Sequence, residues 1–290
     1  MKIAVTGATG LIGSALTRSF QTTGHDVVRL RRPADWDPEK HSVDTSVLRG
    51  VDAVIHLAGE SIASGRWSAA RKGRIRDSRV NGTRLIAETI AGMAHRPQVL
   101  VSASAIGYYG DRGSEVLREE SGPGTGFLSD VCRQWEAATD PATRKGIRVV
   151  HLRNGLVLSK DGGALPKMLL PFKLGVGGKI GSGNQYWSWI SLEDVCAAIQ
   201  HCIQAGSLHG PVNLVSPSPV TNREFTRTLG QVLGRPTMFP LPAFAARLAL
   251  GEMADALLLA SARVEPAKLS ASRFVFRHKD LQPVLQQLLR

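Results

Sequence analysis

Three glycines near the start of the chain form a pattern suited to binding a dinucleotide. Residues 7–13 read GATGLIG, with glycines spaced three apart. The first glycine allows a tight turn out of a strand, the second lets the backbone approach a pyrophosphate, and the third lets a helix pack closely on the sheet. A helix beginning there adds free N–H groups and the positive end of its dipole. The predicted phosphate-binding residues are Gly7, Thr9, Gly10, Leu11, Ile12 and Gly13.

The residues after the second predicted strand indicate which dinucleotide is bound. An acidic residue there binds the ribose hydroxyls of NAD, whereas an arginine binds the 2′-phosphate of NADP. Asp26 stands at the start of that strand, and Arg31 and Arg32 stand at its end. Because arginine can hold a phosphate with two parallel hydrogen bonds, NADP(H) is favoured over NAD(H). The alternative is a pair of solvated loop arginines.

The elements that position these residues alternate between strand and helix. Apolar runs predict strands at 2–6, 26–30, 53–57, 98–102, 148–152 and 212–215, and helical periodicity predicts helices at 11–23, 67–94, 126–144 and 191–205. The alternation is typical of an α/β fold with a Rossmann-type doubly wound parallel sheet and a small C-terminal lobe. The expected division is a dinucleotide-binding domain at 1–160, which also takes in roughly 190–216, and a substrate-side lobe with a helical region at 161–290.

Composition narrows the class of protein. The chain has 290 residues, of which 43% are hydrophobic and 21% charged, so it can build a packed core. Its three cysteines have no metal-ligand spacing, so no metal site is expected, and they fit a reduced compartment. No apolar run reaches the ~18–20 residues needed to span a bilayer, and no signal peptide is visible. A cytoplasmic protein with no membrane partner is therefore expected.

The net charge of +12 leaves several partners open. Basic residues concentrate at 66–84, a pattern that fits nucleic acid, a solvated helix face or a phosphorylated small molecule. No helix-turn-helix, zinc or RNA-binding motif accompanies them, which disfavours nucleic acid. The sequence does not indicate an oligomeric state.

Several motifs resemble the extended short-chain dehydrogenase/reductases, the superfamily of sugar-nucleotide epimerases and dehydratases. These motifs are the GATGLIG turn, HLAG at 56–59 and SASAIGYYG at 102–110. Longer motifs are similar to the YfcH-like "epimerase family" subgroup, and they include segments 56–83, 126–136, 153–172, 177–195 and 263–276. The resemblance covers essentially the whole chain. It implies an NADP-binding Rossmann domain, a small C-terminal lobe and a cleft between them.

The resemblance also implies roles for individual residues. The turn along the adenosine and pyrophosphate side of the cofactor is matched by Leu57, Ala58 and Gly59. Ser102 and Ser104 stand where the family keeps its catalytic Ser or Thr, and Ser104 is the favoured of the two for catalysis while Ser102 is assigned to the cofactor. Arg153 begins the segment that approaches the nicotinamide.

One departure from the superfamily concerns its catalytic pair, a Tyr and a Lys four residues apart on one helix face. Alignment on Glu136 places Leu128 at the tyrosine position and Cys132 at the lysine position. Leucine has no proton to transfer, and a neutral cysteine supplies no cation. Cys132 is interpreted as a small hydrophobe rather than a nucleophile.

Other residues beside the serine are candidates for the missing proton carrier. Tyr108 and Tyr109 follow Ser104 closely, and Glu60 comes directly after the HLAG motif. The alternative for either tyrosine is a packing or hydrogen-bonding aromatic, and Glu60 could serve as a base at the cleft. Together with Ser104, these residues form the predicted catalytic set.

Substrate contacts are predicted on both sides of the cleft. The glycine-rich segment 175–195 offers Gln185 and Trp187, and Arg66 and Trp67 overhang the cleft after the HLAG turn. Trp189 is expected to anchor the junction between the lobes. The resemblance places Arg79 where ordinary extended members often carry an Asn in the helix after HLAG, which implies an added cation near the carboxyl ends of the strands and favours an anionic ligand.

Two functions follow from these observations. The first is an NADP(H)-binding oxidoreductase or epimerase-like enzyme acting on a small anionic substrate. The second is a cofactor-binding regulatory or interaction protein without catalysis. Turnover of the cofactor distinguishes them.

Overall fold

A six-stranded, wholly parallel sheet forms the centre of the protein in its computed structural model, which describes residues 1–289. Its strands are β1 (Lys2–Thr6), β2 (Asp26–Leu30), β3 (Ala53–His56), β4 (Val99–Ala105), β5 (Arg148–Asn154) and β6 (Gly210–Leu214). Their spatial order is β6-β5-β4-β3-β1-β2. The order reverses between β1 and β3, which makes the carboxyl ends of these two strands the expected ligand-binding crevice. The predicted fold class is confirmed.

Helices cover both faces of the sheet. They are α1 (Leu11–Thr22), α2 (Ala69–Gly92), α3 (Phe127–Ala137), α4 (Asp140–Arg144), α5 (Leu165–Lys173), α6 (Leu192–Gln204), α7 (Asn222–Leu233), α8 (Ala243–Leu250), α9 (Glu252–Ala254), α10 (Ala267–Ala271) and α11 (Leu281–Leu289). Successive residues of β1 face opposite sides: Ile3 and Val5 pack in one core with α1 and α6, and Ala4 packs in another with α2.

The single helix predicted at 126–144 is two helices in the structure. The first ends at Ala137, and the second begins at Asp140 with Pro141 in its first turn. Proline is tolerated in a first turn but not in a helix interior, where its missing N–H and its ring disrupt the preceding turn. Pro141 therefore accounts for the new start.

A third core belongs to the C-terminal lobe. Its buried residues include Trp189, Phe225 and Leu285. Trp189 is fully buried and lies on the short strand Trp189–Ser191, which pairs in parallel with Leu156–Leu158 directly after the central sheet. Other short strands pair Tyr186–Trp187 with Val220–Thr221, Arg263–Val264 with Val116–Leu117, and Trp36–Asp37 with Ser42–Val43. The domain boundaries drawn from the sequence stay a prediction.

Candidate functional site

The glycine turn lies at the point where the strand order reverses. Gly7 has a φ of +66°, and a Cβ there would lie 2.9 Å from the backbone of Leu57 and Ala58. A Cβ on Gly13 would overlap the carbonyl oxygen of Gly7. Gly10 is different, because the only atom within 4 Å of its added Cβ is the Gly7 carbonyl oxygen, at 3.3 Å. The first and third glycines are thus required by close packing with the backbone, whereas the second is exposed and a Cβ there would meet only that one oxygen.

The start of α1 supplies unused backbone donors. Gly10 precedes the helix, and no side chain caps its first turn. Thr9 is exposed at the tip of the turn, whereas Leu11 and Ile12 are half-buried. Such N–H groups are the ordinary ligands of a phosphate at a helix N-terminus. This geometry fits the pyrophosphate of a dinucleotide.

The HLAG segment forms the neighbouring wall. His56 is fully buried, and its Nδ1 lies 2.8 Å from the Thr6 hydroxyl. Burial lowers the pKa of His56 to about 4, so its ring is neutral at physiological pH. Leu57 and Ala58 pack against the cores on either side of the sheet, and Gly59 is exposed.

Arg31 and Arg32 lie at the carboxyl end of β2, on the surface. Arg31 pairs with Asp35 at 3.1 Å, and Arg32 approaches Glu39 at 3.3 Å. The side chains of Arg31 and Arg32 are 76% and 44% exposed. Exposed pairs of this kind contribute little to stability. Both guanidinium groups can therefore exchange their carboxylate partners for a phosphate.

A buried ionic network lies at the ends of β4 and β5. The carboxylate of Glu136, on α3, accepts hydrogen bonds from Ser104 Oγ at 2.7 Å and from Arg153 Nε and Nη2 at 2.9 Å each. Arg153 is 2% exposed and also donates to the Tyr109 hydroxyl at 2.9 Å. In this structure its Nε and Nη atoms donate to Glu136, Tyr109 and the Glu119 carbonyl oxygen, and the contact of Arg153 with the cofactor stays a prediction. These hydrogen bonds hold the Glu136 carboxylate beside Ser104.

The two tyrosines have different environments. Tyr109 is fully buried, and its hydroxyl donates to Asn213 Oδ1 at 2.7 Å while burial raises its pKa to about 12. Its assignment as a proton carrier is therefore not supported. Tyr108 is half-buried, and its ring centroid lies 3.5 Å from the guanidinium carbon of Arg153. Its hydroxyl makes no hydrogen bond to any other residue within 1–289. Tyr108 is thus the tyrosine with a free hydroxyl.

The positions of the missing catalytic pair face this same corner. A Cβ on Gly107 would lie 3.2 Å from Leu128 Cβ and 3.9 Å from Cys132 Sγ, so both side chains pack against the turn that follows β4. Burial raises the pKa of the Cys132 thiol to about 12. Cys132 is therefore protonated and buried, as a small hydrophobe would be.

Glu60, Arg66 and Trp67 lie on the segment between β3 and α2, which we call the cleft mouth. The carboxylate of Glu60 is 40% exposed and lies 3.6 Å from Arg71. Arg66 donates to the carbonyl oxygen of Leu248 at 2.6 Å, which joins this segment to α8. Trp67 packs edge-to-face on Phe127, with ring centroids 5.1 Å apart. The Arg66 contact joins the segment between β3 and α2 to the C-terminal lobe, on the side where the resemblance implies a cleft.

Three other predicted site residues lie inside the protein. Gln185 is 6% exposed, and its amide nitrogen donates to the carbonyl oxygens of Ile180 and Leu258 at 3.0 Å. Trp187 is 8% exposed and packs on Phe225. Ser102 is fully buried, in the interior of β4. All three side chains are thus buried, and the assignments of Gln185 and Trp187 to the substrate and of Ser102 to the cofactor stay predictions.

Arg79 brings a buried cation to the back of the cleft. It donates to the carbonyl oxygen of Glu60 at 2.9 Å, and its guanidinium carbon lies 5.0 Å from the Trp135 ring. Burial lowers the pKa of Arg79 from its ordinary value. This location fits the cation that the sequence predicts beside the strand ends.

Sequence reasoning assigned no role to two residues of this corner. Glu136 served there only as an alignment reference, yet it ties Ser104 to Arg153. Asn154 donates to the carbonyl oxygen of Ser104 at 3.2 Å, while its own Oδ1 is buried without a partner among residues 1–289. A signal for Glu136 existed, since it follows Cys132 by four residues and so shares its helix face.

The described residues contain neither a metal-binding cluster nor a membrane-spanning helix. Across residues 1–289, no group of three or more His, Cys, Asp or Glu side chains is arranged to hold a metal ion. None of the described helices is both long enough and apolar enough to cross a bilayer.

Comparison with known proteins gives a consistent assignment. The sequence model of the NAD dependent epimerase/dehydratase family matches residues 3–214, and that of a domain of unknown function, DUF1731, matches residues 241–288. The epimerase family protein Mb2239 of Mycobacterium bovis is 45% identical over 98% of this chain and 96% of its own. The epimerase family protein YfhF of Bacillus subtilis is 36% identical over 100% of this chain and 98% of its own.

Solved structures agree with the sequence relatives. The human epimerase family protein SDR39U1, crystallised with NADPH, superposes with a TM-score of 0.91 at 33% identity and 99% coverage of both chains. A nucleoside-diphosphate sugar epimerase from Corynebacterium glutamicum superposes with a TM-score of 0.82 at 36% identity, over 100% of this chain and 58% of its own. The resemblance to the extended short-chain dehydrogenase/reductases is confirmed.

Proposed function

The chain belongs to the NAD dependent epimerase/dehydratase family, and we propose that it binds NADP(H) and transfers a hydride between that cofactor and a small anionic substrate. The observation that carries the proposal is the cradle at the glycine turn. Gly10 is exposed beside the start of α1, which no side chain caps, and the free N–H groups of that first turn suit a pyrophosphate. The presence of NADPH in the human relative supports the choice of cofactor.

Different residues of this chain bind different parts of the cofactor in this proposal. Gly7, Gly10 and the first turn of α1 hold the pyrophosphate. Arg31 and Arg32 hold the 2′-phosphate after releasing Asp35 and Glu39. When bound, NADP(H) supplies the hydride donor or acceptor.

Proton transfer in this proposal is assigned to Tyr108. Its hydroxyl is free, and the guanidinium of Arg153, which is paired with Glu136, lies 3.5 Å from its ring centroid. Ser104 takes a different role, because its proton is donated to Glu136. Ser104 Oγ is left as an acceptor, suited to orienting a substrate hydroxyl. Glu60, on the other side of the cleft, is the second candidate for the proton.

The charge of the cleft supports an anionic substrate. Arg79 lies at its back and Arg66, Arg71 and Lys72 at its mouth, four cations against the two carboxylates of Glu60 and Glu252 that pair with Arg71 and Lys72. Such a concentration of cations favours the approach of an anion. Arg66 and Trp67 are the proposed substrate contacts on this side.

The absence of the usual pair favours one alternative. Leu128 and the protonated, buried Cys132 occupy the catalytic positions and perform no acid/base chemistry. A chain that keeps the cradle and has lost catalysis would be a cofactor-binding regulator. Turnover separates the two functions.

The test is the transfer of deuterium from C4-deuterated NADPH to small carbonyl compounds that carry a carboxylate or a phosphate. Transfer to at least one compound is expected, and Tyr108→Phe should slow it by about 10²–10⁴-fold, the usual contribution of a general acid. Tyr186→Phe is the matched control, because Tyr186 also packs against an arginine, with Arg263 5.1 Å from its ring, but lies outside the site.

Each result has a defined meaning. NADPH binding without transfer to any compound would favour the regulator. Transfer that survives Tyr108→Phe unchanged would refute Tyr108 as the proton carrier, and a loss in Glu60→Gln would then assign that role to Glu60.

A further inference from the structure

The C-terminal lobe carries most of the large apolar side chains that the protein exposes. Single exposed apolar residues are ordinary, but a group of them indicates an interaction surface. We call this group the apolar face, and it consists of Leu170, Leu174, Val176, Met238, Phe239, Phe244 and Leu248. The most exposed of them are Met238 at 79%, Leu248 at 76% and Phe244 at 72%.

The backbone joins the two parts of the apolar face. The segment that follows α5 runs beside residues 238–241: Leu241 N–H donates to the Lys179 carbonyl at 2.8 Å, and Gly181 N–H donates to the Leu241 carbonyl at 2.9 Å. Phe244 and Leu248 are four residues apart and so share one face of α8. The two parts of the apolar face therefore lie on adjoining backbone segments.

The same part of the chain contains no acidic residue. Neither segment 162–192 nor segment 225–251 has an Asp or a Glu, and together they hold Lys167, Lys173, Lys179, Arg227, Arg235 and Arg247. Within residues 1–289, Arg247 alone of these six pairs with a carboxylate, that of Asp255. Met238 lies with Lys179, Arg223 and Arg227 around a shallow cavity of about 290 Å³. Apolar and cationic side chains are thus mixed on one surface.

We propose that the apolar face binds the surface of an anionic lipid bilayer. Its phenylalanine, leucine and methionine side chains enter the headgroup boundary, and its unpaired cations meet the lipid phosphates. A second copy of the chain is a poorer occupant, because a two-fold contact would bring like charges together. The contact needs no spanning helix. It departs from the expectation of no membrane partner, which rested on the lack of such a helix.

The orientation of the bound protein follows from two contacts at the cleft mouth. Arg66 donates to the Leu248 carbonyl at 2.6 Å, and Lys167 donates to the Ala63 carbonyl at 3.3 Å. The apolar face therefore borders the segment that overhangs the cleft. On a bilayer, the cleft mouth would lie near the lipid surface. The surface proposal itself stands whether or not the cleft is catalytic.

Cosedimentation of the full chain with vesicles tests the proposal. Binding is expected to vesicles of phosphatidylcholine with about 30% phosphatidylglycerol and not to phosphatidylcholine alone. About 0.5 M salt should release most of it by screening the charges. The double substitution Phe244→Glu with Leu248→Glu should weaken binding at least about tenfold. Val275→Glu is the matched control, because Val275 is 78% exposed outside the apolar face.

Three results would overturn the proposal. The first is equal binding to neutral and anionic vesicles, and the second is unchanged binding of the double variant. The third is an unaltered chain that does not bind vesicles but forms a dimer in analytical ultracentrifugation, when the double variant is a monomer. A second variant, Lys173→Gln with Arg227→Gln, keeps the test valid if the glutamates disturb the fold, and it should reduce binding to the anionic vesicles.

Discussion

Replacing Glu136 with glutamine should destabilise the protein strongly, although the two side chains have the same size. The carboxylate of Glu136 accepts one hydrogen bond from Ser104 and two from Arg153. Glutamine keeps one acceptor oxygen and replaces the other with an NH₂ group, which cannot accept from a guanidinium. Arg153, with its side chain 3% exposed, is then left as a buried cation without its anion.

The size of the effect follows from burial. Breaking a buried ion pair by removing one partner typically costs about 3–5 kcal/mol. The Glu136 side chain keeps 12% exposure, so water screens part of the charge, and the expected loss is about 3 kcal/mol. Removing both charges, in Glu136→Gln with Arg153→Met, should cost less than the sum of the single changes.

Urea unfolding of matched variants measures this loss. Asp130→Asn is the control, because Asp130 lies on the same helix and pairs with Arg133 at 3.2 Å, but both side chains are more than half exposed. It should cost less than about 1 kcal/mol. The slope of the transition should stay the same in all variants. A Glu136→Gln variant no less stable than Asp130→Asn would refute the view that this network is a buried ionic site.

Three other predictions use the same structure. Gly10→Val should abolish NADPH binding while circular dichroism stays like that of the parent, whereas Gly13→Ala should cost about 2 kcal/mol in urea unfolding, because its Cβ would overlap the Gly7 carbonyl oxygen. Burial lowers the pKa of His56 from 6.5 to about 4, so the unfolded chain binds more protons between these values. Stability should therefore fall by up to about 3 kcal/mol as pH decreases through that window, and His56→Gln should flatten the profile. The double substitution Leu128→Tyr with Cys132→Lys should leave standard sugar-nucleotide epimerase assays negative. Activity of the unaltered protein in these assays would contradict the claim that loss of the catalytic Tyr and Lys disables that reaction.

The sheet could be predicted from the sequence because its strands are short, continuous apolar runs. Parallel strands buried on both faces need such runs, and glycine or polar residues mark their ends. The glycine turn could be predicted too, because the backbone around Gly7 and Gly13 leaves no room for a Cβ. Strands and turns could be predicted wherever residues close together in the sequence determine them.

The buried ionic network at the ends of β4 and β5 could not be predicted in the same way. Ser104, Glu136 and Arg153 lie far apart in sequence and meet only because α3 crosses the ends of β4 and β5. The packing role of the glycines around Gln185 could not be predicted either, for a related reason. Its glycines resemble a ligand-binding loop, but a Cβ on Gly178 would overlap the carbonyl oxygen of Phe239, and a Cβ on Gly177 would lie 2.7 Å from the Phe172 ring. These glycines serve packing between segments, which a single sequence does not reveal.

The central claim is that this chain holds NADP(H) through Arg31 and Arg32. Calorimetric titration of the protein with NADPH and with NADH tests it most directly. We expect at least about tenfold tighter binding of NADPH than of NADH, or about 1.4 kcal/mol, and loss of that preference in Arg31→Ala with Arg32→Ala while NADH binding is unchanged. Equal affinities of the unaltered protein for the two cofactors would contradict it.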